Sequence, residues 1–301
     1  MSKLQPLQSV KQFFMNPVID KEYRLRMRTS RSMWTLLAYL IAMGLFSGVI
    51  FSIVGIDMRN SIYSSGFTGI AFIVLSFAQL GLIAFMSPGL TAGVISSERE
   101  KQTLNLLLTT QQTSFTIIVS KLIASISFML LIVFSTLPLY GIVFLYGGIS
   151  PGQLLSVFAF FIFNMLVFGA FGVLFSTIFK RTMIAVIVTY GVVLFMFVGT
   201  GIIYLLFSFG YNSYGFGGNN PANDSWILHF LAINPGFALY SVLDGGDWYM
   251  SLARSSRASK TFFDHVPFWL EYVIFYTAIL VLAIYGAIRN LRPVSRKKQG
   301  V

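Results

Sequence analysis

Cysteine is absent from this chain, which excludes disulfides and thiolate-held metal centres. Histidine is almost absent: His229 and His265 stand far apart in polar stretches and leave too little for a His-based metal or catalytic site. Charge is scarce too, at 10% of residues. No G-x-x-x-x-G-K-[ST] phosphate loop occurs, and the GFGGNNP stretch at 215–221 lacks the strand and helix that phosphate binding needs. The chain therefore has no nucleotide site of that kind. What fills it instead is apolar: 56% of the 301 residues are hydrophobic and 31 are Phe. Six runs are long enough to cross a bilayer, which takes roughly 20 mostly apolar residues as helix. The composition reads as an all-α, polytopic membrane protein with no room for a large soluble domain.

The net charge of +11 does not point to nucleic acid, because the basic residues flank the apolar runs instead of forming a patch with interleaved aromatics. They act as topology signals and lipid contacts. Residues 1–32 are a basic stretch with Phe13, Phe14, Val18 and Ile19 interspersed, read as an interfacial elbow helix on an anionic leaflet, with Asn16 and Pro17 as its start. Spans are expected at 33–54, 66–86, 114–146, 153–178, 183–207 and 267–288, with Pro138 kinking the third. Ser150 and Pro151 supply an N-cap and first helical residue for the fourth. An external region occupies 208–266, where Asn234, Pro235 and Gly236 break an apolar stretch into two short helices, and 289–301 is a basic tail. This topology places 17 of the 21 Lys and Arg residues, and both termini, on the cytoplasmic side of the plasma membrane.

No ionisable residue sits in the middle of a span, which weighs against proton-driven or ion-driven transport. Gln79 and Asn164 are the most polar intramembrane residues, each read first as an interhelical hydrogen-bonding group. Gly44 and Gly48, four residues apart, allow a second helix to approach the first span closely. Lys121, near the cytoplasmic end of the third span, is expected to snorkel to the headgroups. A membrane enzyme acting on lipids would need acids and histidines gathered at one face, and no such cluster is present.

The segment from Ser96 to Gln112, SSEREKQTLNLLLTTQQ, is the charged exception between two apolar runs. Ser97 can cap a helix, with Glu100 reaching back as the other half of a capping box, and both Glu98 and Glu100 suit the positive end of the dipole. Leu104, Leu107 and Leu108 then fall on one face. The helix is amphipathic and too short to span.

Taken together, NPVIDKEYRLRMRTSR at 16–31, SPGLTAGVISSEREKQTLNLLLTT at 87–110 with Lys121 following, and INPGFAL at 233–239 resemble the type 2 ATP-binding-cassette (ABC-2) permeases. That resemblance implies a non-enzymatic, membrane-spanning permease subunit of an exporter, moving a lipid, peptide or drug-like substrate. It implies a separate ATPase subunit that binds the ATP, no cofactor in this chain, and a second permease, identical or related, as partner. Spans one, two and five would line the interface or pathway, involving Gly44 and Gly48. The segment would be a coupling helix: Glu98, Arg99, Glu100 and Thr103 would make polar contacts with the ATPase, and Leu104, Leu107 and Leu108 would pack toward it or toward the membrane domain. Reversing Glu98 and Glu100 together to Lys would then leave the protein inserted and stable while uncoupling the ATPase. The alternative within the resemblance is a sensor, resistance or assembly subunit that binds an external ligand without bulk transport.

Overall fold

Helices account for every regular element in the computed structural model, which describes residues 30–57, 66–104, 113–145, 149–213, 231–244 and 267–291. The elbow segment up to residue 29, Leu107 and Leu108, both histidines and the tail from residue 292 lie outside the described residues. In chain order the helices are α1 (Ser30–Asp57), α2 (Gly66–Thr91), α3 (Ser96–Glu100), α4 (Ser114–Phe134) and α5 (Leu137–Leu145). They continue as α6 (Pro151–Ile178), α7 (Thr182–Leu194), a π turn (Phe195–Gly199), α8 (Thr200–Ser213), α9 (Pro235–Leu243) and α10 (Phe268–Leu291). Six of these stretches are long and apolar enough to cross a membrane.

Local chemistry sets most of the boundaries. The Ser150 hydroxyl accepts from Gln153 N, and the Gln153 side chain accepts from Ser150 N, so a capping box starts α6 with Pro151 in its first turn. Pro138 interrupts the third span, as expected, although Ser114–Leu145 remains a single stretch long enough to cross a membrane. The break falls earlier, at Ser135 and Thr136, because proline has no N–H to offer the Phe134 carbonyl, and Pro138 takes the second position of a new helix. Pro88 ends nothing: α2 continues through it to Thr91, where Ala92 N donates to Pro88 O.

The bundle is organised around α6. It packs against α2, α10, α7, α4 and α9, whereas α1 packs chiefly on α2. The most apolar windows of the third and fourth spans are 67% buried against 22% for the first, fifth and sixth, so α4, α5 and α6 form the interior and α1, α7, α8 and α10 the rim. In lipid, helix association rests on close packing and interhelical hydrogen bonds more than on water exclusion. Asn164, fully buried on α6, accepts a 2.6 Å hydrogen bond from the Tyr272 hydroxyl of α10 and donates to Phe160 O. Its reading as an interhelical link holds. Gln79 is equally buried on α2, but neither of its amide atoms finds a partner among the described residues.

Two features escape a reading by hydropathy. One is the π turn in the middle of the fifth span. The Asn234 amide, at the start of α9, donates to Phe197 O at 2.7 Å and to Thr200 Oγ1 at 2.9 Å, while its carbonyl oxygen caps α9 by accepting from Gly236 N. One side chain thus joins the irregular turn to α9. The other is the depth of α9, whose Ala238, Leu239, Ser241 and Leu243 are buried against α10, α6 and α2. It inserts into the end of the bundle.

Candidate functional site

A corner opposite α9 joins α2 to α4 and carries the charged segment. The chain leaves α2 at Thr91 and turns through Ala92–Ile95 with the backbone of Val94 donating to Thr91 O. It then forms the single turn and a half of α3. This helix does not begin with the expected capping box. Its N-cap is Ile95, which has no capping side chain, and the two leading N–H groups, of Ile95 and Ser96, donate to the Ser176 hydroxyl of α6 at 2.8 and 2.9 Å. A neighbouring helix supplies the cap, so Ser97 and Glu100 are released from it. The far end closes by a Schellman arrangement: Thr103 N donates to Glu98 O and Gln102 N to Arg99 O. Gln102 takes the left-handed conformation this requires, at φ 59°, which costs a residue with a Cβ roughly 1 kcal/mol.

Each charged side chain of α3 finds a partner on a different helix. The Glu98 carboxylate meets the Lys121 ammonium of α4 at 2.5 Å. Lys121 does not snorkel to the headgroups: its side chain is 4% exposed, because α3 folds beneath the end of α4 and brings a carboxylate to it. The Arg99 guanidinium donates to Thr177 O at 3.1 Å and Phe179 O at 3.4 Å, satisfying carbonyls that α6 leaves open at its C-terminus. The Glu100 carboxylate accepts from Thr182 N at 2.7 Å and from the Thr182 hydroxyl at 2.9 Å, occupying the open N-terminus of α7. A five-residue helix is therefore riveted to the ends of three spans. Leu104 is buried with Ile95, Ile117, Ile118, Leu122 and Leu291, so it packs inward toward the membrane domain. Glu100, Lys101, Gln102 and Thr103 form the exposed rim.

The two hydrogen bonds from Thr182, the backbone one foremost, hold the Glu100 carboxyl below its ordinary range, with Arg181 contributing attraction. A carboxylate whose pKa falls on folding contributes stability that is fully present above the unfolded value and fades as pH drops through the folded one. The Glu100→Gln variant should therefore melt below the parent at neutral pH, and the gap should close on acidification through the carboxylate range. Thermal unfolding in detergent across that range measures it.

Gly44 and Gly48 are not brought to this corner. They lie on α1, where a methyl group added at either would meet nothing within 4 Å, so no helix among the described residues uses their close-approach face. Lys121, Ser176, Thr177 and Thr182 are the residues that sequence reasoning did not assign to the site. Opposite charge at Glu98 and Lys121 was the one available signal; a hydroxyl or a carbonyl some 80 residues away gives none.

Comparison with known proteins adds the family. A search of curated proteins finds no match to this chain. The family model described as "ABC-2 family transporter protein" matches residues 17–289, nearly the whole chain and all six spans. With six membrane-crossing helices and a charged corner between the second and third, the chain belongs to the ABC-2 transporter family and is a multi-pass membrane permease.

Proposed function

We propose that this permease is half of an ATP-driven exporter and that the rim of α3 is the docking point of a separate cytoplasmic ATPase, which binds the nucleotide. One observation carries the reading. The side chains of Glu98, Arg99 and Glu100 are tied by hydrogen bonds or an ion pair to the ends of α4, α6 and α7, so a push on the exposed Lys101 to Thr103 rim is delivered to three spans at once. Displacement of a rigidly held element is what a two-state transition needs in order to spread. The sequence supports the orientation: a six-span topology puts 17 of the 21 basic residues on the side of the 96–112 segment, so we take that side and both termini as cytoplasmic and the membrane as the plasma membrane. The exposed apolar face of α1 with Gly44 and Gly48, unoccupied among the described residues, suits a second permease, identical or related. An apolar bundle with few charges suits hydrophobic or amphipathic cargo.

We therefore assign the polar contacts to the ATPase to Lys101, Gln102 and Thr103, keeping Thr103 from the sequence reading and leaving Glu98, Arg99 and Glu100 to hold α3 in place. Reversing Glu98 and Glu100 is a poor probe, since it places a lysine against buried Lys121 and opens the start of α7. Lys101→Glu is the better one, because its side chain is exposed. In gentle purification from native membranes, the parent should bring down an ATPase. The variant should keep its melting temperature and lose that subunit. Unchanged ATPase recovery and turnover in the variant would remove α3 from the coupling route.

A further inference from the structure

At the end of the bundle away from α3, a cavity of about 560 Å³ opens sideways between α6 and α10. One wall is a helical stripe on α6, Gln153, Ser156, Phe160 and Phe163, and the other is Trp269 and Val273 of α10; Val242 of α9 closes one edge. We infer that this groove holds one acyl chain of a bilayer glycerophospholipid, from the leaflet on the α9 side, with the ester region at Trp269 and Ser156.

Four observations converge on that occupant. The first is direction: the flanking residues Leu155 on α6 and Ile274 on α10 are 73% and 63% exposed, so the mouth opens onto the lipid face of the bundle. Length is the second. From Gln153 to Phe163 the α6 wall rises roughly 15 Å at 1.5 Å per residue, half of a hydrocarbon core of about 30 Å, which is one leaflet. Polarity is the third, because the polar groups sit toward one end. Gln153 and Ser156 are in the first turns of α6 and Trp269 in the first turn of α10, while Phe160, Phe163 and Val273 lie deeper. This is the arrangement of an amphipathic ligand, and tryptophan is at home at headgroup depth. Satisfied hydrogen bonding is the fourth. Gln153 is committed to Ser150 and to Leu243 O, which fixes the wall, whereas the Trp269 indole N–H has no partner among the described residues and is a donor suited to an ester carbonyl. No lining residue is ionised, so the groove selects a chain and not a headgroup charge.

The rim is shaped by Ala159, whose small side chain lines the cavity and is itself exposed. Larger side chains there fill the groove without entering the core. The inference depends on membrane embedding alone and not on ATPase coupling, so the permease is tested by itself, in phosphatidylcholine nanodiscs. The probe is a phosphatidylcholine or a phosphatidylglycerol bearing a diazirine on one acyl chain, followed by peptide mapping of the photoadducts. Both probes should label Phe160, Phe163 and Val273 to the same extent. Ala159→Trp should abolish that labelling, and Ala159→Ser and Leu155→Trp should retain it, with labelling of exposed Ile187 and Ile202 unchanged in all variants as the sign of a folded bundle. Adducts spread evenly over exposed helix faces and indifferent to Ala159→Trp would overturn the inference. So would confinement to the anionic probe, or absence of groove adducts in the parent, as when the protein itself fills the cavity.

Discussion

The Lys121→Met variant is expected to lose about 3 kcal/mol of stability, the lower end of what breaking a buried ion pair costs, because Glu98 keeps some contact with solvent. Methionine matches the aliphatic stem of lysine in length and leaves packing on α4 nearly intact, so the loss reads out charge. What remains is a carboxylate with no cation; its Oε2 already lacks a hydrogen-bond partner among the described residues. Adding Glu98→Gln should recover part of the loss, since the uncompensated charge is then gone, and the two single variants should fail to add. Thermal unfolding of all four proteins in one detergent closes the cycle. Additive losses would mean that the pair contributes nothing to the fold of the corner.

Gly172→Ala should be comparably damaging, although alanine is the better helix former by about 1 kcal/mol. A methyl group at Gly172 would stand 2.8 Å from Thr91 Cβ, nearer still to Thr91 Oγ1, and 3.1 Å from the backbone nitrogen of Ala92. Thr91 cannot swing away easily, because its hydroxyl donates to Ser87 O and its Cβ is fixed by the helix. Overpacking of this kind costs about 1 to 3 kcal/mol or more, so the steric term exceeds the gain in propensity. The displaced segment is the exit from α2 that sets the height of α3, so the variant should also recover less ATPase from membranes. Thr91→Gly in the same chain removes the colliding atoms and should restore part of the melting temperature. A Gly172→Ala protein with parental stability would mean that α2 and α6 stand farther apart than described.

The six spans and the charged corner could be read from the sequence, since apolar length and flanking charge depend only on neighbouring residues. Partners could not. Arg99 finds two carbonyls and Glu100 finds Thr182 because α3 is placed under the ends of α6 and α7, and that placement depends on Gly172 and Ser176 some 75 residues on. For the same reason Lys121 resembled a snorkelling lysine: an isolated cation at the end of an apolar run has one sequence signature whether its ammonium reaches headgroups or a carboxylate. Asn164 announced its hydrogen bond by being polar in a span, but Tyr272 as its partner required α10 to be laid against α6. Gln79 gives the same signal and has no such bond among the described residues.

The wide turn of the fifth span also bears on phase. Its buried positions are Ala185, Thr189, Val193, Met196 and Thr200, a seam on one side of the helix. At 3.6 residues per turn, the fifteen residues from Ala185 to Thr200 would leave the two about 60° apart in azimuth. The extra residue accommodated between Phe195 and Gly199 takes up that drift and keeps the seam aimed at the same neighbours from end to end. Its rotational offset, and not its flexibility, is thus the property at stake. Removing a single residue between Met196 and Val198 would shorten the span little, but it would turn α8 relative to α7 and carry Thr200 away from Asn234.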